Sequence, residues 1–146
     1  MSHPVRFFEV LPKVPDVRAP GLFLVFSSIL SAVVWFFFGG IYAALAALVL
    51  PIPLSLALAG LWHLGSWGGR YGYVVTWRTV VYPFGFSLPL VAVPIARWIA
   101  VAYAGVVLLS VGTATVREVS AARSLVISVA ITAVVGAAIL YTVGPL

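Results

Sequence analysis

The chain has 146 residues, of which 64% are apolar and only 8% charged, proportions that exclude an ordinary soluble globular domain. Its formal charge of +5 would suit nucleic acid in a soluble protein, but the basic residues stand in short segments between long apolar runs, where they set membrane orientation, and no nucleic-acid partner is expected. The absence of cysteine excludes disulfides, thiolate catalysis and Cys-ligated metals or clusters. Asn and Gln are also absent, and seven Arg stand against one Lys, a composition that follows thermophile trends.

Residues 1–19 read as a short interfacial segment. Arg6, Glu9, Lys13, Asp16 and Arg18 alternate with Val5, Phe7, Phe8, Val10 and Leu11, and Pro12, Pro15 and Pro20 prevent a long helix. Ser2 or His3 can cap one or two turns with Pro4 at a first helical position, giving Phe7, Phe8 and Leu11 a common apolar face. The charged stretch is too long for a signal peptide.

Residues 20–146 form the transmembrane helical part. Between residues 19 and 62 there is no charge, and as a single helix this stretch would be about 66 Å long, roughly twice a hydrocarbon core of ~30 Å. It must reverse, and Gly39-Gly40 is the expected turn. The first span covers residues 20–38 and ends in an aromatic group, Trp35 to Phe38, suited to the headgroup level. The second covers residues 41–63, with a kink at Pro51 and Pro53 whose lost backbone bonds fall to a neighbouring helix or to Ser55. A glycine-rich turn follows from Gly65 to Gly72, without the lysine or spacing of a phosphate-binding loop.

The third span, residues 74–93, contains Arg78 near its start and is interrupted by Pro83, Gly85 and Pro89. It is expected as a complete but broken helix, with a re-entrant segment as the alternative. The fourth and fifth spans cover residues 95–116 and 122–143. On the fifth, Ser124, Ser128, Thr132 and Gly136 recur every fourth residue, a strip of small side chains for helix packing within the bundle or between protomers. The expectation is an all-α, polytopic bundle of five transmembrane helices, or four plus a re-entrant segment. Arg6, Lys13, Arg18, Arg70, Arg78, Arg117 and Arg123 fall on one side and Arg97 on the other, which makes the N-terminus cytoplasmic and the C-terminus external.

Little catalytic chemistry is available. The acids are Glu9, Asp16 and Glu118, all at expected cytoplasmic interfaces, so proton relays, cation sites and metal-dependent hydrolysis lack their ligands, and neither an enzyme nor a cofactor is expected. His63 could ligate a haem or pigment from the end of the second span; the alternative is an ordinary interfacial residue beside Trp62. Arg70, Arg78, Arg117 and Arg123 are candidates for contact with anionic lipid or a partner.

The stretch from His63 to Tyr82, with Gly68-Gly69-Arg70 followed by Val74, Trp77, Arg78 and Tyr82-Pro83, resembles the loop and third-span entry of the Ypt-interacting-protein (Yip) domain family. Arg6-Phe7-Phe8, Pro94, and Gly112 leading to Val116-Arg117-Glu118-Val119 resemble other parts of the same domain, in order along nearly the whole chain. The chain departs from it where Val119 leads directly into Ser120-Ala121-Ala122, a shorter connection than the family's. The resemblance implies five spans and a cytoplasmic N-terminus. Eukaryotic members associate with lipidated Rab-type GTPases and with one another in membrane traffic and shaping, but their long N-terminal region has almost no counterpart here, and no catalytic residue carries over. The expected function is a non-enzymatic organiser of the cell membrane, multi-pass, with lipids and copies of itself or other membrane proteins as partners. The alternatives are an accessory subunit of a respiratory, photosynthetic or transport complex, and a carrier for a neutral or lipidic substrate.

Overall fold

The computed structural model describes residues 4–9, 16–67 and 71–143. The described residues form six helices: α1 (Pro4–Glu9), α2 (Arg18–Val49), α3 (Pro51–Gly65), α4 (Tyr73–Val91), α5 (Pro94–Arg117) and α6 (Ala121–Val143). The chain is an all-α helical bundle, as its composition requires. Four helices, α2, α4, α5 and α6, are long and apolar enough to cross a membrane, and α3 is a shorter apolar helix.

The 32 residues of α2 do not make one rod. Gly40 has φ 74° and ψ −170°, a conformation essentially restricted to glycine, and it interrupts the helix. Before it, α2 runs parallel to α4: Phe23 meets Tyr82 at a tilt of 49° with ring centroids 5.2 Å apart, and Ser31 Oγ donates to Leu88 O at 3.1 Å. After it the direction is reversed, because α3 is joined to α4 through the short connection 66–72 and packs beside it. The glycine pair therefore turns the chain, as its sequence suggests.

Residues 41–49 continue into α3. Leu50 keeps helical angles, donates to Ala46 O at 2.9 Å and accepts from Leu54 N–H at 3.1 Å, so only the donors missing from Pro51 and Pro53 weaken the joint. Ser55 Oγ donates to Ile52 O at 2.8 Å and accepts from Trp77 Nε1 at 3.1 Å, tying the kink to α4. Because a Cβ at Gly40 would meet nothing within 4 Å, Gly40→Ala tests backbone conformation alone. A loss of roughly 1–2 kcal/mol is expected in thermal or denaturant unfolding in detergent.

The expected third span is one helix: α4 has 19 residues, about 28 Å, long enough to cross a membrane despite Pro83 and Pro89 inside it. It lies against α2, α3 and the whole length of α5. Thr76, Arg78, Thr79 and Ser87 are buried on it, so its weak hydropathy reflects contact with protein rather than lipid. Val93, extended at φ −89° and ψ 117°, and Pro94 at a first helical position reverse the chain into α5.

Helix α5 contains a π-helical turn over Tyr103–Leu108, and Glu118 at φ 56° ends it with a left-handed cap. It packs antiparallel to α6. Ser124 Oγ donates to Ser110 O at 2.6 Å, and a Cβ on Gly105 would come within 2.8 Å of Thr132 Cγ2. The small-residue strip on α6 is thus used inside the bundle, with Ser124 and Ser128 fully buried. Gly136 is half-buried, with open space where its Cβ would be.

The expected interfacial segment is seated on this bundle. Phe8 of α1 is fully buried with Val75 and Val116, over a notch at Gly112, where a Cβ would lie 2.9 Å from the Phe8 ring. Phe7 meets Tyr82 edge to face at 5.3 Å. Leu11 and the proposed caps Ser2 and His3 lie outside the described residues.

Candidate functional site

A helix leaves its last four carbonyls without intrahelical donors, and inside a membrane water is not there to supply them. The C-terminus of α3 shows how this chain meets the need. Ser66 donates to Trp62 O through both N–H, at 2.9 Å, and Oγ, at 2.6 Å, and Trp67 N–H reaches Leu64 O at 3.2 Å. The remaining carbonyls are taken by arginines from another part of the chain. Arg123 Nη2 donates to Gly65 O at 3.1 Å and Trp67 O at 2.8 Å, and Arg117 Nη2 donates to Ser66 O at 3.1 Å.

Arg117 is the centre of this arrangement. Only 2% exposed, it also directs Nη1 at Tyr71 O at 2.7 Å, at His63 Nδ1 at 2.9 Å and at Thr76 Oγ1. Its guanidinium therefore grips both ends of the α3–α4 connection, from Ser66 and Tyr71, while sitting at the negative end of the α3 dipole. A planar, multiply donating cation suits this better than an ammonium would. Its Nε is buried without a hydrogen-bond partner among the described residues.

The opposite end of the bundle repeats the solution. Buried Arg97 donates from Nε to Val91 O at 3.0 Å, Val93 N–H donates to Leu90 O at 3.1 Å, and Ser31 covers Leu88 O, so the end of α4 is closed by the same means.

These contacts correct several expectations. Arg117 and Arg78 are buried, at 2% and 4% exposure, and do not form a lipid- or partner-facing rim. Arg123 is exposed but engaged with the α3 terminus, and Arg70 lies outside the described residues. The carbonyl acceptors of Arg117 and Arg123 lie far away in sequence, and nothing local announces them.

His63 is not arranged as a haem or pigment ligand. Arginine can only donate, so with Arg117 Nη1 at 2.9 Å the Nδ1 of His63 accepts, and a neutral ring then carries its proton on Nε2. Neither nitrogen keeps a free lone pair for a metal. Among the described residues no group of three or more His, Asp or Glu side chains is placed to hold a metal ion.

The second candidate site is a cavity of about 570 Å³ between the helices, running from Trp62 of α3 past Pro51 to Ala43 and Trp35 beside the Gly40 turn. Val80 and Phe84 of α4, Gly105 of α5 and Val135 of α6 contribute to its walls. No charged residue lines it. Its few hydroxyls include those of Ser31 and Ser87, which donate to Leu88 O and to Phe84 O. The stretch between the Gly40 turn and the Pro51 kink contributes Ala43, Ala46, Ala47 and Leu50 to its wall. Sequence inspection finds the kinks but not the space between them.

Family profiles, curated proteins and solved structures were compared with the chain, and none matches it.

Proposed function

We propose that the chain is a non-enzymatic, multi-pass protein of the cell membrane, of the Yip type, with five spans and a cytoplasmic N-terminus, that organises or shapes membrane through helix and lipid contacts. The observation that carries this function is where the polar chemistry goes. Arg97, Arg117 and Arg123 close helix ends, and His63 is bonded into the same network. The outward faces are apolar, with Phe26, Phe37, Tyr42 and Ile99 among the most exposed side chains, which suits a protein that meets its surroundings through lipid.

Five spans are supported by the alternating direction of residues 18–39, 41–65, α4, α5 and α6, and by the gathering of Arg117 and Arg123 at one end with Arg97 at the other. The cysteine-free chain allows a direct check. Val17→Cys and Ile95→Cys, 54% and 81% exposed in the native side chains, should differ: an impermeant maleimide applied to intact cells should label I95C and spare V17C until the membrane is opened. Labelling of both in intact cells would overturn the topology.

Gentle extraction of the tagged protein, followed by mass spectrometry, tests the function. Recovery of the chain with lipid and copies of itself, and altered vesicle shape on reconstitution, are expected. Redox or transport subunits retained at fixed ratio would instead make it an accessory subunit.

A further inference from the structure

A cavity lies between the helices, with side chains of α2, α3, α4, α5 and α6 in its wall. We propose that it is a binding site for a single long hydrocarbon chain of a membrane lipid, which deepens the lipid-contact function proposed above and rests on it. Three observations select this occupant.

The first is the chemistry of the wall. A space of about 570 Å³ lies within the ~300–1,000 Å³ typical of small-molecule sites, and no charged side chain lines it, so an ionic ligand finds no counter-charge. Water needs two to four polar partners to settle in a cavity; the Ser31 and Ser87 hydroxyls already donate to Leu88 O and Phe84 O, which leaves Thr132 Oγ1 and Trp62 Nε1 as the buried polar side-chain atoms of the wall without a partner among the described residues, few for a space of this size. Left empty, the surrounding side chains would forgo packing along the whole wall.

The second is continuity with the lipid-facing surface. Leu50 and Leu54 line the cavity and are about half exposed, at 50% and 49%, on the same kinked stretch that carries the exposed Val49 and Ile52. A chain can therefore enter sideways from the bilayer without passing a polar barrier. The wall extends along α3 from Leu50 to Trp62, close to 18 Å at ~1.5 Å per residue, which fits a chain lying along the helix rather than a compact headgroup.

The third is that the small-residue strip of α6, where it borders the cavity at Thr132, is already packed against Gly105 of α5, as Ser124 is against Ser110, so a helix from a second copy finds no small-residue seat in that wall.

Trp62 supplies the reporter, because it lines the cavity while only 2% exposed, out of reach of lipids that merely surround the protein. The full chain, with Trp35, Trp67, Trp77 and Trp98 replaced by Phe, is reconstituted in phosphatidylcholine vesicles brominated at mid-chain, and in parallel in vesicles of a brominated isoprenoid ether lipid. Strong quenching of Trp62 is expected in at least one, and the lipid that quenches identifies an acyl or an isoprenoid source. Ala47→Phe, which fills the cavity from its wall, should reduce quenching at least threefold. Quenching in neither lipid, or quenching unchanged by A47F, would overturn the proposal.

Native mass spectrometry of the unaltered protein guards against misfolding of the reporter variant. It should show one lipid retained through detergent washing and lost at least tenfold in A47F; a lipid-free protein or equal retention would also overturn the proposal. Both experiments read chain binding and not membrane shape, so vesicle remodelling that persists without a bound chain refutes this inference alone. A retained chain without remodelling refutes only the shaping function.

Discussion

Replacing Arg117 by Leu is expected to cost about 3–5 kcal/mol, a large part of the ~5–15 kcal/mol that holds a typical domain folded. The substitution is close to the original in apolar bulk but removes the guanidinium donors that reach Ser66 O, Tyr71 O, His63 Nδ1 and Thr76 Oγ1. Carbonyls that are buried and left without donors bear their full desolvation cost, about 1–3 kcal/mol each. Arg117→Lys should fall between, because one ammonium cannot serve both the acceptors that Nη1 reaches and Ser66 O, which Nη2 reaches. Unfolding in detergent gives the magnitude. Limited trypsin digestion gives the location: release of the α3–α4 connection should speed cleavage after Arg70, the one basic residue in the 66–72 sequence. Unchanged melting and cleavage would show that the clamp contributes nothing to stability.

The second large effect is expected at Gly105, where Gly105→Val should destabilise by ~3 kcal/mol through overpacking. Its Cβ would stand 2.8 Å from Thr132 Cγ2 and overlap Thr132 Oγ1, and neither backbone can yield without separating α5 from α6. If the clash is the cause, Thr132→Ala added to Gly105→Val should recover part of the loss, giving a non-additive double-mutant cycle. Gly136→Leu, at another small position of the same strip, should be nearly neutral because nothing lies within 4 Å of its Cβ. Equal losses at Gly105 and Gly136 would contradict the packing described. The contrast also shows that recurrence every fourth residue identifies a face but not its point of closest approach. The wide turn over Tyr103–Leu108 brings the backbone close at Gly105, and nothing in the spacing on α6 encodes that.

The sequence by itself determined the class and the course of the chain. A long uncharged stretch cannot be covered by so small a soluble core, and a membrane forces its backbone into helices. Gly39-Gly40, Pro51-Pro53 and Pro94 then fix where those helices turn, bend or begin, because φ and hydrogen-bonding limits act within one or two residues. Ser55 does sit at the proline kink, but its hydroxyl donates to Ile52 O and not to Ala47 O or Val49 O, the carbonyls whose i+4 donors Pro51 and Pro53 lack, so the expected compensation is not what it supplies.

Tertiary structure alone decided what the arginines do. Counted along the chain, Arg117 and Arg123 are charges of a short loop; folded, they fill the carbonyl valences of a helix end more than fifty residues earlier. His63 was placed at a helix end by its sequence, but its tautomer follows from an arginine 54 residues away. The apolar cavity, likewise, is bounded by side chains of five helices that meet only in the folded chain. Local rules predict each bend, while the space left between the bends depends on all the helices packed around it.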